Sequence, residues 1–237
     1  MSFTPTGFWN PDPESSRCAP KAIIAKPAAG KSAWVNKTLR DAYNTGKLTG
    51  VRTVMILPKE DSIIKGSEPV SDMRSLTKKL KTDDIVVVYP PRGDVNLEGF
   101  VDEVINTIMD IHESTGGVIK IDRKTTVPLR FNLVIDDSQV ILSNRKEPSS
   151  SVKRAVIAFR RVGQIIMIGH RPAFLPRISA GSLSDVIFFN VSSIDDDVSK
   201  RVFGTDISGV YNELGDYRWA HLDVFSGKID YYNPLSL

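Results

Sequence analysis

Cysteine is nearly absent from this chain: the single Cys18 excludes an internal disulfide and any cysteine-based zinc site. Histidine is almost as scarce. The three present, His112, His170 and His221, lie too far apart in sequence to follow a metal-ligand spacing. No apolar run approaches the roughly 18–20 residues of a membrane helix. The opening stretch, MSFTPTGFWNPDPESS, lacks the basic-then-apolar order of a secretory signal. Repeats and low-complexity tracts are absent as well. Charge of either sign is in short excess: 31 Lys and Arg against 28 Asp and Glu give +3, which permits a polyanionic partner without demanding one.

What is present is ordinary for a globular protein, with 41% apolar and 25% charged residues over 237 positions. That length holds one large α/β domain or two small ones. Residues 1–20 contain four prolines and read as an arm, with Phe3, Phe8 and Trp9 as docking aromatics. Short apolar runs then recur at Ala22–Ala25, Val51–Leu57, Asp84–Tyr89, Phe131–Ile135, Gln164–Ile168 and Val186–Val191. Helical spacing fills the intervals, most clearly from Leu97 to Ile111, where Phe100, Val101, Val104, Ile105, Ile108 and Met109 repeat before Gly116-Gly117. Apolar strands without alternation, separated by helices, predict a mostly parallel sheet covered on both faces. Residues 21–208 form that domain, and 209–237, rich in Tyr and Trp, read as a lid or hairpin packed on it.

The chain is organised around Lys21–Ser32, KAIIAKPAAGKS. A strand, a small-residue turn and a helix in that order make a phosphate cradle, with backbone N–H groups and the positive helix end facing the anion. The pattern is that of a P-loop (Walker A), with Ala25 in place of its first glycine. Ala25, Lys26, Pro27, Ala28, Ala29, Gly30, Lys31, Ser32 and Ala33 would surround the polyphosphate of ATP. Lys31 would reach its β/γ oxygens, and the Ser32 hydroxyl would take a place on Mg²⁺.

A second feature is the acidic strand tip Leu133-Val134-Ile135-Asp136-Asp137, at a Walker B position. Nucleotide hydrolysis needs one carboxylate for the metal shell and another to orient the attacking water. Asp136 is assigned to the metal and Asp137 to the water, although paired acids at a strand end also simply begin turns. The next strand ends at His170, whose ring could report on the γ-phosphate. Positive charge on the transferring phosphoryl group is commonly supplied by a neighbouring subunit's arginine. Arg154, Arg160, Arg161, Arg171 and Arg177 are available, with Arg161 first and Arg160 beside it.

These pieces, AKPAAGKS, VRTVMILP, DIVVVYPP, NLVIDDSQ and FRRVGQIIMIGHRPAFLPRISAGSLSDVIFF, resemble the FtsK/HerA branch of P-loop ATPases. Within it they look like the genome-packaging ATPases of membrane-containing tailless viruses. The resemblance runs from about Lys21 to Gly204, and departs from the family at Ala25, at Asp137 (usually Glu) and at His170 (usually Gln). It implies a homo-oligomeric ring, a hexamer, that threads double-stranded DNA into a preformed capsid, with capsid or vertex proteins as partners. Location in the host cytoplasm or at a capsid vertex of the virion goes with that. Basic residues in the pore would grip phosphates without reading bases, and Lys65, Arg74, Lys78 and Lys79 are the candidates. Two other readings stand beside it: a small nucleotide kinase, and a nucleotide-binding assembly or export module with little turnover.

Overall fold

The computed structural model describes residues 3–11, 18–58, 68–92, 96–142, 150–175, 182–190, 196–207, 210, 214–215 and 217–235. Lys65 and Arg177 lie outside the described residues. The apolar runs become strands β1 (Lys21–Ile24), β2 (Val51–Ile56), β3 (Ile85–Val88), β6 (Arg130–Ile135), β7 (Gly163–Gly169) and β8 (Asp185–Phe188). These pair in parallel in the order β8-β1-β7-β6-β2-β3. A short antiparallel hairpin, β4 (Val118–Lys120) with β5 (Thr126–Pro128), stands apart from the main sheet.

Side chains on successive strand residues point to opposite faces, so the sheet divides the core in two. Ala22 and Ile24 of β1 pack with the helices α2 (Met73–Lys79), α3 (Leu97–Ser114), α5 (Ser150–Phe159) and α6 (Asp196–Phe203). The brief α4 is Ser138–Ile141. Ile23 and Ala25 face the other way, toward α1 (Lys31–Asn44). On that second face the N-terminal arm takes a share of the cover. Phe8 and Trp9 are fully buried, and both lean on Trp34 of α1 with ring centroids 5.7 and 6.0 Å away. The Trp9 indole donates to Thr38 Oγ1 at 2.9 Å. Beneath the arm, two buried amides satisfy each other and the arm's carbonyls: Gln164 Nε2 donates to Asn132 Oδ1, and Asn132 Nδ2 to the Trp9 carbonyl. Unpaired, these groups would carry a desolvation cost.

The C-terminal segment extends the sheet as a hairpin. β9 (Trp219–Asp223) pairs antiparallel with β8, and β10 (Lys228–Tyr232) pairs with β9. Asp185 fastens this junction. Its carboxylate accepts from His221 Nε2 at 2.8 Å and lies 3.8 Å from Lys21 Nζ, while Phe3 stacks on the His221 ring. Burial pushes the Asp185 carboxyl upward, but the His221 bond, Lys21 and Ser184 outweigh it and hold it below the ordinary range. Its stabilising contribution is therefore complete above the usual carboxylate range and is lost as pH falls through the depressed folded value. Asp185→Asn should lower stability by about 1–3 kcal/mol at neutral pH. Urea melts of wild type and variant should converge as the solution is acidified.

Candidate nucleotide site

The strand register brings the expected residues to one edge of the sheet. Ile24, the last residue of β1, lies opposite Gly169 of β7, and Ile135 of β6 opposite Met167 of β7. The turn after β1, the acidic tip after β6 and His170 after β7 therefore emerge together at the carboxyl ends of parallel strands, where such sheets bind ligands.

Ala25 is fully buried and continues the strand, its N–H bonded to the Gly169 carbonyl. Only three described non-glycine residues have positive φ, and Ala25 is not one of them. The missing first glycine therefore costs this backbone nothing. The conformational demand falls instead on Ala28, at φ +61°, and on Gly30, at φ +91°. Ala28→Gly should raise stability by up to about 1 kcal/mol, because a left-handed alanine costs about 1–2 kcal/mol and glycine returns part of that as chain entropy. A thermal melt without nucleotide checks it.

Gly30 sits at the N-cap of α1, and no side chain caps the first turn. Lys31, the first helical residue, extends to Asp136 Oδ1 at 3.1 Å, with side-chain exposures of 11% and 13%. Burial raises the Asp136 carboxyl above its ordinary value; Lys31 opposes the rise and Asp137 adds to it. A buried carboxylate disfavoured in this way is relieved by a cation. With the exposed Ser32 hydroxyl one residue along, the donors here are hard oxygens of the kind Mg²⁺ takes, phosphate and water supplying the remainder. No cluster of three or more His, Cys, Asp or Glu suited to a metal occurs among the described residues.

Asp137 has φ +44° and ψ +47°, a left-handed turn that Asp and Asn tolerate better than other side chains. Its Oδ1 meets His170 Nε2 at 2.8 Å and Gln139 Nε2 at 3.4 Å. His170 Nδ1 lies 3.2 Å from the Ala25 carbonyl. Both ring nitrogens face acceptor atoms, so a neutral imidazole satisfies one of them and an imidazolium satisfies both. This ring stands between the start of the loop and the acidic pair, within hydrogen-bond distance of both.

Arg160 and Arg161 are elsewhere. They follow α5 just before Gly163, at the amino edge of β7, about 20 Å along the strand from its tip. Arg160 Nε bonds the Cys18 carbonyl, and the exposed Arg161 gives its own carbonyl to Arg130. Neither reaches the cradle of its own chain.

Three residues absent from the sequence reading complete the surroundings. Asn190 accepts from Lys26 Nζ at 3.2 Å, Gln139 supports Asp137, and Tyr217 stands over Gly30. Lys26, Pro27, Ala28, Ala29, Asn190 and Tyr217 line a polar hollow of about 210 Å³.

No family model and no curated protein matches the sequence. Solved structures do match the fold. The DNA-packaging ATPase from Sulfolobus turreted icosahedral virus superposes with TM-score 0.72 at 16% identity, covering 94% of this chain and 100% of its own. The genome-packaging NTPase of Sulfolobus turreted icosahedral virus 2, in complex with AMPPCP, gives 0.70 at 13%, covering 92% and 98%. VirB4 of Thermoanaerobacter pseudethanolicus gives 0.59 at 12%, covering 95% and 92%. Given a parallel sheet with the loop, the acidic tip and His170 on one edge, and these neighbours, the chain has the P-loop NTPase fold.

Proposed function

We propose that this protein is an ATP-hydrolysing DNA translocase that packages a double-stranded viral genome into a preformed capsid. The observation that carries the reading is the meeting of Lys31, Asp136, Asp137 and His170 at one edge of the sheet. The whole-length match to a DNA-packaging ATPase supports the choice of cargo. Lys31 would leave Asp136 for the β/γ-phosphates, and Ser32 and Asp136 would hold Mg²⁺, a group that supplies charge neutralisation when bound. Asp137 orients the attacking water, and His170 carries the change at the γ-phosphate back to the loop through Ala25.

The remote arginines suit a ring. A head-to-tail assembly sets unlike surfaces against each other, so an arginine meant for the neighbour's phosphate lies away from its own. Arg161 is that residue in this reading, with Arg160 holding the arm beside it. DNA would be gripped through its phosphates by α2, where Arg74 and Lys78 are exposed one turn apart on the same face. The protein would work as a hexamer with capsid or vertex proteins, in the host cytoplasm or at the vertex itself. Among the described residues no helix is long and apolar enough to cross a membrane.

Steady-state ATP hydrolysis with and without duplex DNA tests this. Stimulation by DNA of any sequence, weakening as salt rises, is the expected result. Turnover indifferent to DNA, or transfer of phosphate to a nucleoside monophosphate, would remove the translocase reading.

A further inference from the structure

Beside the first turn of α1 a second hollow, also about 210 Å³, is lined almost wholly by apolar atoms. Gly30, Ala33 and Trp34 form its α1 wall, and Phe189 lies beyond the end of β8. The C-terminal segment supplies the rest, chiefly Tyr217 and Trp219. Among the described residues no carboxylate or amide side chain lines it. The Trp34 and Trp219 indoles are buried without a hydrogen-bond partner among the described residues.

Tyr217 lines this hollow and the polar one over Lys26–Ala29, so the two adjoin at its ring. A Cβ placed on Gly30 would meet that ring at 3.0 Å. The residue is 59% exposed and holds φ +59°. For a bulky aromatic this is an outlying backbone conformation, of a kind that gathers at ligand clamps. One chamber is polar and backs onto a helix N-terminus; the next is aromatic and of a size for a flat ring. A nucleotide is divided in the same way.

Resting on the phosphate-site reading above, we infer that the apolar hollow receives the nucleobase, with Tyr217 stacked on its face. Stacking recognises an aromatic surface and does not read hydrogen-bonding edges. With no amide or carboxylate among its described lining residues to discriminate, the site takes adenine and guanine nucleotides alike. The C-terminal segment thereby becomes part of the nucleotide site, although the phosphate motifs all lie before it in the chain.

The test is calorimetric titration of the full chain with ATP, GTP and inorganic tripolyphosphate, each with Mg²⁺, repeated on Tyr217→Phe and Tyr217→Ala. ATP and GTP should bind within about tenfold of each other, and both about tenfold or more tighter than tripolyphosphate. Tyr217→Phe should keep that margin, and Tyr217→Ala should lose most of it while tripolyphosphate binds as before. A margin smaller than this in wild type, a margin that survives Tyr217→Ala, or a larger preference between ATP and GTP would overturn the base site and leave the phosphate site standing. Failure of tripolyphosphate to bind, or undiminished binding to Lys31→Ala, would instead remove the phosphate reading, and this one with it.

Discussion

Lys31→Ala should lower ATP hydrolysis by about 10²–10³-fold, the usual loss when one donor to a developing anion is removed. In this chain the substitution acts twice. It takes the cation from the β/γ-phosphates, and in the nucleotide-free protein it strands Asp136, whose side chain is only 13% exposed and is already disfavoured as a carboxylate by burial. The variant should therefore also lose about 1–3 kcal/mol of stability. Adding Asp136→Asn should restore much of that loss, because the stranded charge disappears. Hydrolysis should not return. Assays and urea melts on the single and double variants separate the two roles, and wild-type turnover in Lys31→Ala would refute the phosphate assignment.

Asp137→Asn should bind Mg·ATP normally and hydrolyse it about 10²–10⁴-fold more slowly, within the range for loss of a general base. Asparagine is the informative replacement. It keeps the size of the side chain and tolerates the left-handed backbone at φ +44°, whereas alanine there would add strain to the lost carboxylate. The amide can still accept from His170, so the link between the β6 and β7 tips persists in a weaker, uncharged form. Single-turnover kinetics alongside equilibrium binding checks the split. Loss of binding together with turnover would show that Asp137 serves the metal or the local fold.

Much of this architecture could be read from local pattern. The six parallel strands are continuous apolar runs such as Val-Val-Val in β3 and Ile-Ile-Met-Ile in β7, as burial on both faces requires. The loop, Asp136-Asp137 and His170 each end such a run, so their shared edge followed from the fold class. What local pattern could not supply was partnership. Trp219–Asp223 gives no sign that it will join β8, and the sequence reading left the segment as a lid or hairpin; the Asp185–His221 contact that binds it joins residues far apart in the chain. The β4–β5 hairpin escaped notice because its strands are only three residues long and lack a buried face. Asn190, Gln139 and Tyr217 went unread for a related reason. Each is unremarkable in its own stretch and acquires a role only when the register sets it beside Lys26, Asp137 or Gly30. At Ala25 the motif has glycine, yet in this chain the positive φ falls three residues later, at Ala28.

A crystal structure with Mg²⁺ and a non-hydrolysable ATP analogue bears most directly on the claim that one sheet edge grips and watches a terminal phosphate. The account predicts Lys31 Nζ transferred from Asp136 to the phosphate oxygens, Mg²⁺ between Ser32 and the Asp136 side, and Asp137 with His170 facing the γ-phosphate. A nucleotide bound elsewhere, with the Lys31–Asp136 pair intact and the loop as it is now, would contradict it.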